Sequence, residues 1–357
     1  VKTVAPIFTN SPLFPARFKE KFMSQSFYST ALAHWSTALL SAIALVGCTT
    51  PNPPTTGASP AATLGATPAA TTADKKPKVV ASYSVPCHLV REIAKEQVEL
   101  TCLIDPDQDP HTYAAKPSDK QAIEQADLVF YGGLNFEPTI IEMVTSTNTP
   151  APKLPLNELA TPAPLFVEEE GKKEPDPHVW HDAENTIRMV QIIQQNLAKV
   201  DPNNAAEYAK NAATVETQFK ALHAWVPKQI ATIPANQRKL VTTHDALGYY
   251  ARAYGLTVEG ALLGVSTDEA ASAAKVKSLS QSIQATGIPV IFAEVTANDK
   301  VLRTVAKEAG VKISSEPLVA DGLGAIGSPQ GTYTGMMTSN TCTIAKNLGG
   351  NCTEFRP

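Results

Sequence analysis

The sequence predicts an α/β protein of two lobes, each a parallel sheet flanked by helices, joined by one long rigid helix. Three observations predict it. Strand-like and helix-like runs alternate from about residue 77, which is the pattern of a parallel sheet with crossover helices. The alternation breaks for two consecutive helical stretches and then resumes. At 357 residues the chain is long enough for two cores of ordinary size.

Before the first strand lies a segment that reads as processing signal and tether. Arg17, Lys19 and Lys21 precede the apolar stretch "HWSTALLSAIALVGC", which is too short to span a membrane as a helix. It ends in Leu45-Val46-Gly47-Cys48, a tetrad that resembles a bacterial lipobox, with Cys48 as the lipidated residue. Residues 1–47 are therefore expected to be a signal peptide. From Cys48 to residue 76 the chain is rich in Pro, Thr and Ala without apolar period, a flexible tether on a membrane anchor. The expected place is the periplasm or the extracytoplasmic face of the cytoplasmic membrane. Export sets an oxidising compartment for the four remaining cysteines. Cys342 with Cys352 closes a short C-terminal loop and leaves Cys87 with Cys102; other pairings stay open.

Residues 77–200 form the expected first lobe. "PKVVASYSV" reads as a buried strand, "CHLVREIAKEQ" as a short helix and "VELTCLID" as the next strand. "KPSDKQAIEQA" opens with Ser or Asp as a cap, and glycines stop the β-run "DLVFYGG". In "DAENTIRMVQIIQQNLAKV", Ile187, Val190, Ile193 and Leu197 recur at helical spacing. Residues 201–231 are the expected linking helix, interrupted by Pro227.

Residues 232–357 form the expected second lobe. "RKLVTTH" is a strand, "DALGYYARAYG" a helix closed by Gly255, and "LTVEGALLG" a strand. A helix over "TDEAASAAKVKSLSQSIQATG" leads to the strand "IPVIFAE". The helix "TANDKVLRTVAKEAG", the strand "VKISSEPLVAD" and the helix "GTYTGMMTSNTCTIAKNL" complete the order.

Four side chains share one circumstance. His111 follows the strand that holds Leu103 and Ile104, His178 precedes a helix, His244 ends one strand and Asp321 another. Open parallel sheets bind ligands at the carboxyl ends of their strands. Three imidazoles and a carboxylate suit a divalent first-row metal. Taken singly each has a plainer role, as a turn residue or a helix cap. Together they point to a metal. His88, His223 and His34 lie in helices or in the leader, and His181 reads as a surface residue or one lying just behind the site.

Asp-Pro-His occurs twice, in "LIDPDQDPHTYAAKPSD" and "DPHVWHDAENTIRMV". With "VTTHDALGYYARAYGL", "VIFAEVTANDKVLRTVAKEAG" and "GTYTGMMTSNTCTI" the series resembles the periplasmic zinc- and manganese-binding receptors of bacterial ABC importers, over about residues 77 to 349. The resemblance implies one metal buried between two lobes, held by His111, His178, His244 and Asp321, and delivered to a membrane permease. It also implies that His at the third position favours zinc and Glu manganese. The acidic stretch "FVEEEGKKEPDPH" lacks the histidines that zinc-type members often carry there, so manganese stays open.

Other classes are weighed against this one. A zinc hydrolase leaves a coordination position for water beside a base, and Glu294 is the one tempting base. It reads better as a buried acid behind an imidazole. A structural or adhesive surface lipoprotein explains the tether but not the ligand set. The net charge of −4 and the absence of basic runs speak against nucleic acid, and a monomer is expected.

Overall fold

The computed structural model describes residues 75–357 apart from residues 107, 170 and 171. The leader, Cys48, His34 and the tether up to residue 74 lie outside the described residues.

Four parallel strands carry the first lobe. They are β1 (Lys78–Ala81), β2 (Glu99–Cys102), β3 (Leu128–Tyr131) and β4 (Lys153–Pro155), in the order β2-β1-β3-β4. Val79, Val80, Ala81 and Leu128 to Phe130 are buried, as expected of strands covered on both faces. Helices α1 (Ser84–Ala94), α2 (Pro117–Gln125) and α3 (Pro138–Ser146) make the crossovers. The first helix starts earlier than its sequence suggests and shortens the strand before it. Pro86 falls in its first turn, where a missing N–H breaks no helical bond. Helix α3, strand β4, a short α4 (Leu156–Ala160) and the antiparallel hairpin β5 (Phe166–Glu169) with β6 (Lys172–Pro175) add to the sequence-derived elements.

Helix α5 (Ala183–Val200) begins where the Asp182 carboxylate accepts the Glu184 N–H. Its Ile187, Val190, Ile193 and Leu197 are all buried. Then α6 (Ala205–Ile230) runs for 26 residues, about 39 Å at a rise of about 1.5 Å per residue. Tyr208, Ala212, Val215, Phe219, Leu222, Val226 and Ile230 form one buried stripe at three- and four-residue steps. The stripe packs on α5 and α1 and also on the last helix of the second lobe, so the helix braces both. Pro227 does not interrupt it as expected. A proline this near the end costs one intrahelical bond, and buried Val226, Gln229 and Ile230 keep the final turn packed. Leu222 is fully buried in this stripe. Leu222→Ala should lower unfolding free energy by about 2–5 kcal/mol, read as a shifted urea midpoint in metal-free protein.

The second lobe has shorter strands. β7 (Lys239–Thr242) pairs in parallel with β8 (Thr257–Ala261), and β9 (Val290–Ile291) with β10 (Lys312–Ile313). Single parallel bridges, Thr242 to Phe292 and Glu294 to Leu318, extend the ladder. Helices α7 (Gly248–Tyr254), α8 (Ala273–Thr286), α9 (Lys300–Ala309) and α10 (Tyr333–Asn347) cover it. Gly255 ends α7 with φ of 81°, a left-handed conformation that glycine adopts without strain. The strand expected over 311–321 is regular only at Lys312–Ile313. Pro317 has no N–H to give, and the Ser314 hydroxyl bonds the Glu316 carbonyl, so the chain turns before Leu318 rejoins the ladder.

Disulfides join Cys87 to Cys102, tying α1 to β2, and Cys342 to Cys352, tying α10 to the C-terminal tail. Among the described residues no helix is long and apolar enough to cross a membrane.

Candidate metal centre

The two Asp-Pro-His tripeptides build the same turn. In each, the aspartate Oδ1 accepts the histidine backbone N–H at 2.9 Å, Asp109 for His111 and Asp176 for His178. The proline between them contributes no competing donor and fixes one backbone angle. The two turns then diverge. Asp176 Oδ1 also meets His178 Nδ1 at 2.9 Å, which leaves Nε2 facing inward. Asp109 instead accepts the hydroxyl of Thr267, a second-lobe residue, at 2.5 Å.

The other two groups come from the second lobe. His244 lies two residues past β7. Its Nδ1 contacts Glu294 Oε2, while Glu294 Oε1 accepts the N–H groups of Thr243 and His244 at 3.0 and 3.2 Å. Asp321 follows Leu318, and its Oδ2 accepts the Thr296 hydroxyl at 2.7 Å. Each of these residues thus keeps one atom occupied by its own lobe and presents the other.

The presented atoms converge. His178 Nε2 is 3.3 Å from both His111 Nε2 and His244 Nε2. Asp321 Oδ1 lies 3.0 Å from His244, 3.3 Å from His178 and 3.5 Å from His111. A tetrahedron with bonds of about 2.0–2.1 Å has edges of about 3.3–3.4 Å. Five of the six edges are close to that size, all four atoms lie within 4.8 Å of one another, and the donor set fits a divalent ion. Phe136 lies edge-on to His111 and His178, and Trp180 flanks His178, so the walls are apolar.

All four residues are buried, and their titration follows from their neighbours. Burial opposes charging His244, but Asp321 and Glu294 outweigh it and hold the imidazole well above its ordinary value. Burial likewise opposes His178, yet Asp176 and Asp321 leave it raised. Desolvation wins at His111 and lowers it. Burial would raise Asp321, but His244 and the other imidazoles hold it well below the carboxylate range.

The remaining histidines fall elsewhere. His88 is in α1 and His223 on α6. Of the two readings of His181 the surface one fails and the one behind the site stands: it is fully buried, pushed down to about 3 by desolvation, and its Nε2 donates to the Ala320 carbonyl at 2.8 Å. Asp176, Thr267 and Thr296 escaped the sequence reading as partners. Only Asp176 carried a signal, as the first letter of the repeated tripeptide.

Known proteins agree with this architecture. Residues 79–347 match the family model described as the zinc-uptake complex component A, periplasmic. The chain is 35% identical over 281 residues to the zinc-binding protein TroA of Treponema pallidum, covering 77% of this chain and 90% of that protein. It is 32% identical over 280 residues to the manganese-binding lipoprotein MntA of Bacillus subtilis, covering 77% and 91%. The solved structure of the periplasmic zinc-binding protein TroA superposes with a TM-score of 0.73 at 33% identity, over 77% of this chain and 99% of that one. Such proteins bind and hand over a solute without catalysing a reaction, so the hydrolase alternative falls away. The chain belongs to the periplasmic zinc-uptake family, and is an extracytoplasmic substrate-binding protein that delivers a divalent metal ion, zinc or manganese, to an ABC importer.

Proposed function

We propose that His111, His178, His244 and Asp321 are the four ligands of the transported ion and that the ion carried is zinc. The observation that carries this reading is that three imidazole nitrogens and one carboxylate oxygen lie within 4.8 Å of one another, five of their six separations being 3.0–3.5 Å. Three nitrogens and one oxygen as the donor set suit zinc, whereas manganese prefers more oxygen and a higher coordination number. TroA is named for zinc and MntA for manganese, which makes manganese the second reading. Competitive titration of purified protein with both ions decides between them. His244→Glu should lower the zinc-to-manganese affinity ratio, and an unchanged ratio would assign selectivity to geometry rather than to this residue.

The residues behind the ligands are part of the site. Glu294 orients His244 and Asp176 orients His178, each fixing which nitrogen faces the ion. Glu294→Gln and Asp176→Asn should each weaken zinc binding roughly 10–100-fold, measured by chelator competition. Affinities equal to the parent's would show that packing alone sets ring orientation.

The same reading places residues 77–200 and 232–357 as lobes on a linking segment 201–231, working as a monomer. A lipid on Cys48 holds the protein at the membrane beside its permease, with the tether up to residue 76 as slack. Cys48→Ser should release the protein from the membrane fraction.

A further inference from the structure

Resting on the ligand set above, the Asp321 segment is held from both lobes, as the His111 turn is through Asp109 and Thr267. Asp321 belongs to the second lobe, where the Asn340 side chain grips Val319 through both its N–H and its carbonyl, at 3.0 and 2.8 Å. On its other side the segment is fastened to the first lobe. Ala320 accepts from His181, and the Leu323 N–H donates to Ser84 Oγ at 2.9 Å. The approach is close: a methyl on Gly322 would lie 2.3 Å from that oxygen. Ser84 begins α1 directly beyond β1, at the same sheet edge from which the His111 loop departs. Beside this contact runs a crevice of about 30 Å³ lined by Ser84, Ile104, Leu323 and Ile326 from the two lobes, about the room one water needs.

We propose that Ser84 and His181 form an interlobe latch on the Asp321 segment and that breaking it is the step that sets how fast the metal leaves. The two residues lie outside the ligand set. They hold residues 320–323 against the first lobe, and so keep the Asp321 carboxylate within reach of three imidazoles, two of which belong to that lobe. When the hydroxyl and the imidazole let go, Asp321 retreats with Val319 and Asn340, and the cage loses its one anionic member. The water-sized crevice makes the Ser84 contact the one that solvent reaches first, so opening starts there.

Stopped-flow release of zinc into excess chelator, from protein loaded with one zinc per chain, tests the latch. Ser84→Ala and His181→Leu should each release zinc roughly 5–10-fold faster, the scale of one lost neutral hydrogen bond. Association rates should stay within about twofold, because affinity differences among variants of one site fall mainly on dissociation. The metal-free melting temperature of Ser84→Ala should match the parent's. His181→Gln, which keeps an N–H donor, should release more slowly than His181→Leu. Release within twofold of the parent in both Ser84→Ala and His181→Leu overturns the proposal. So does faster release that merely tracks a lower metal-free melting temperature. His244→Ala separates this failure from failure of the ligand set. If the ligand set is wrong, that variant holds zinc as the parent does. If only the latch is wrong, it loses zinc while Ser84→Ala behaves as the parent.

Discussion

Replacing His178 or His244 with Ala should cost far more zinc affinity than the roughly 10–100-fold that removal of an orienting partner costs. The loss is double. One of four bonds disappears, and the buried carboxylate behind the ring loses its imidazole partner and keeps only backbone N–H groups, Asp176 for His178 and Glu294 for His244. His111→Ala should cost less than either. Among the described residues no carboxylate stands behind its imidazole, since Asp109 serves the His111 backbone and Thr267 instead. Chelator-competition titration of the three variants gives the order. Zinc held as tightly as in the parent by two of the three would place the site elsewhere.

Metal stabilisation should depend steeply on pH. In the metal-free protein Asp321 with Asp176 and Glu294 raises His178 and His244, and the imidazoles lower Asp321, so proton binding at the two rings is favoured relative to free imidazole. Zinc must displace those protons. Its affinity should therefore fall as pH drops through the raised imidazole values, beginning above the reference of about 6.5. The metal-free fold responds oppositely. A histidine raised on folding contributes stability that is present below its unfolded value and is lost as pH rises through its folded value. Zinc replaces that contribution where it fades. With free zinc at a hundred times the dissociation constant the gain is about 2.7 kcal/mol. The rise in melting temperature on adding zinc should be large at pH 7.5 and much smaller at pH 5. Calorimetry in two buffers of different ionisation enthalpy should show proton release on binding at pH 7. An equal zinc shift at both pH values would count against imidazole ligation.

The helices were the most legible part of the fold. Helix α5 announces itself by Ile187, Val190, Ile193 and Leu197 at helical spacing, and α6 by a helical run of some six turns, though it continues through the Pro227 at which it was expected to break. The strands β1 and β3 were equally plain as short apolar runs. The second-lobe strands were overestimated, because "IPVIFAE" and "VKISSEPLVAD" have strand composition while Pro317 and Ser314 turn the backbone. Local composition does not register how many ladder bonds a neighbour supplies.

The sequence by itself determined the fold class, the brace helix and four candidate ligands, because periodicity, caps and the position of a side chain relative to a strand end are local properties of the chain. It also held the Asp-Pro-His turn complete, since the aspartate and the N–H it accepts are only two residues apart. Only the tertiary structure decided which atoms face the centre and which stand behind them. Glu294 lies 50 residues from His244, Thr267 158 residues from Asp109 and Ser84 239 residues from Leu323. Contacts over such separations leave no periodic trace. They exist because two sheets with different partners are packed on one helix, and that packing, not any local pattern, brings four ligand atoms within 4.8 Å of one another.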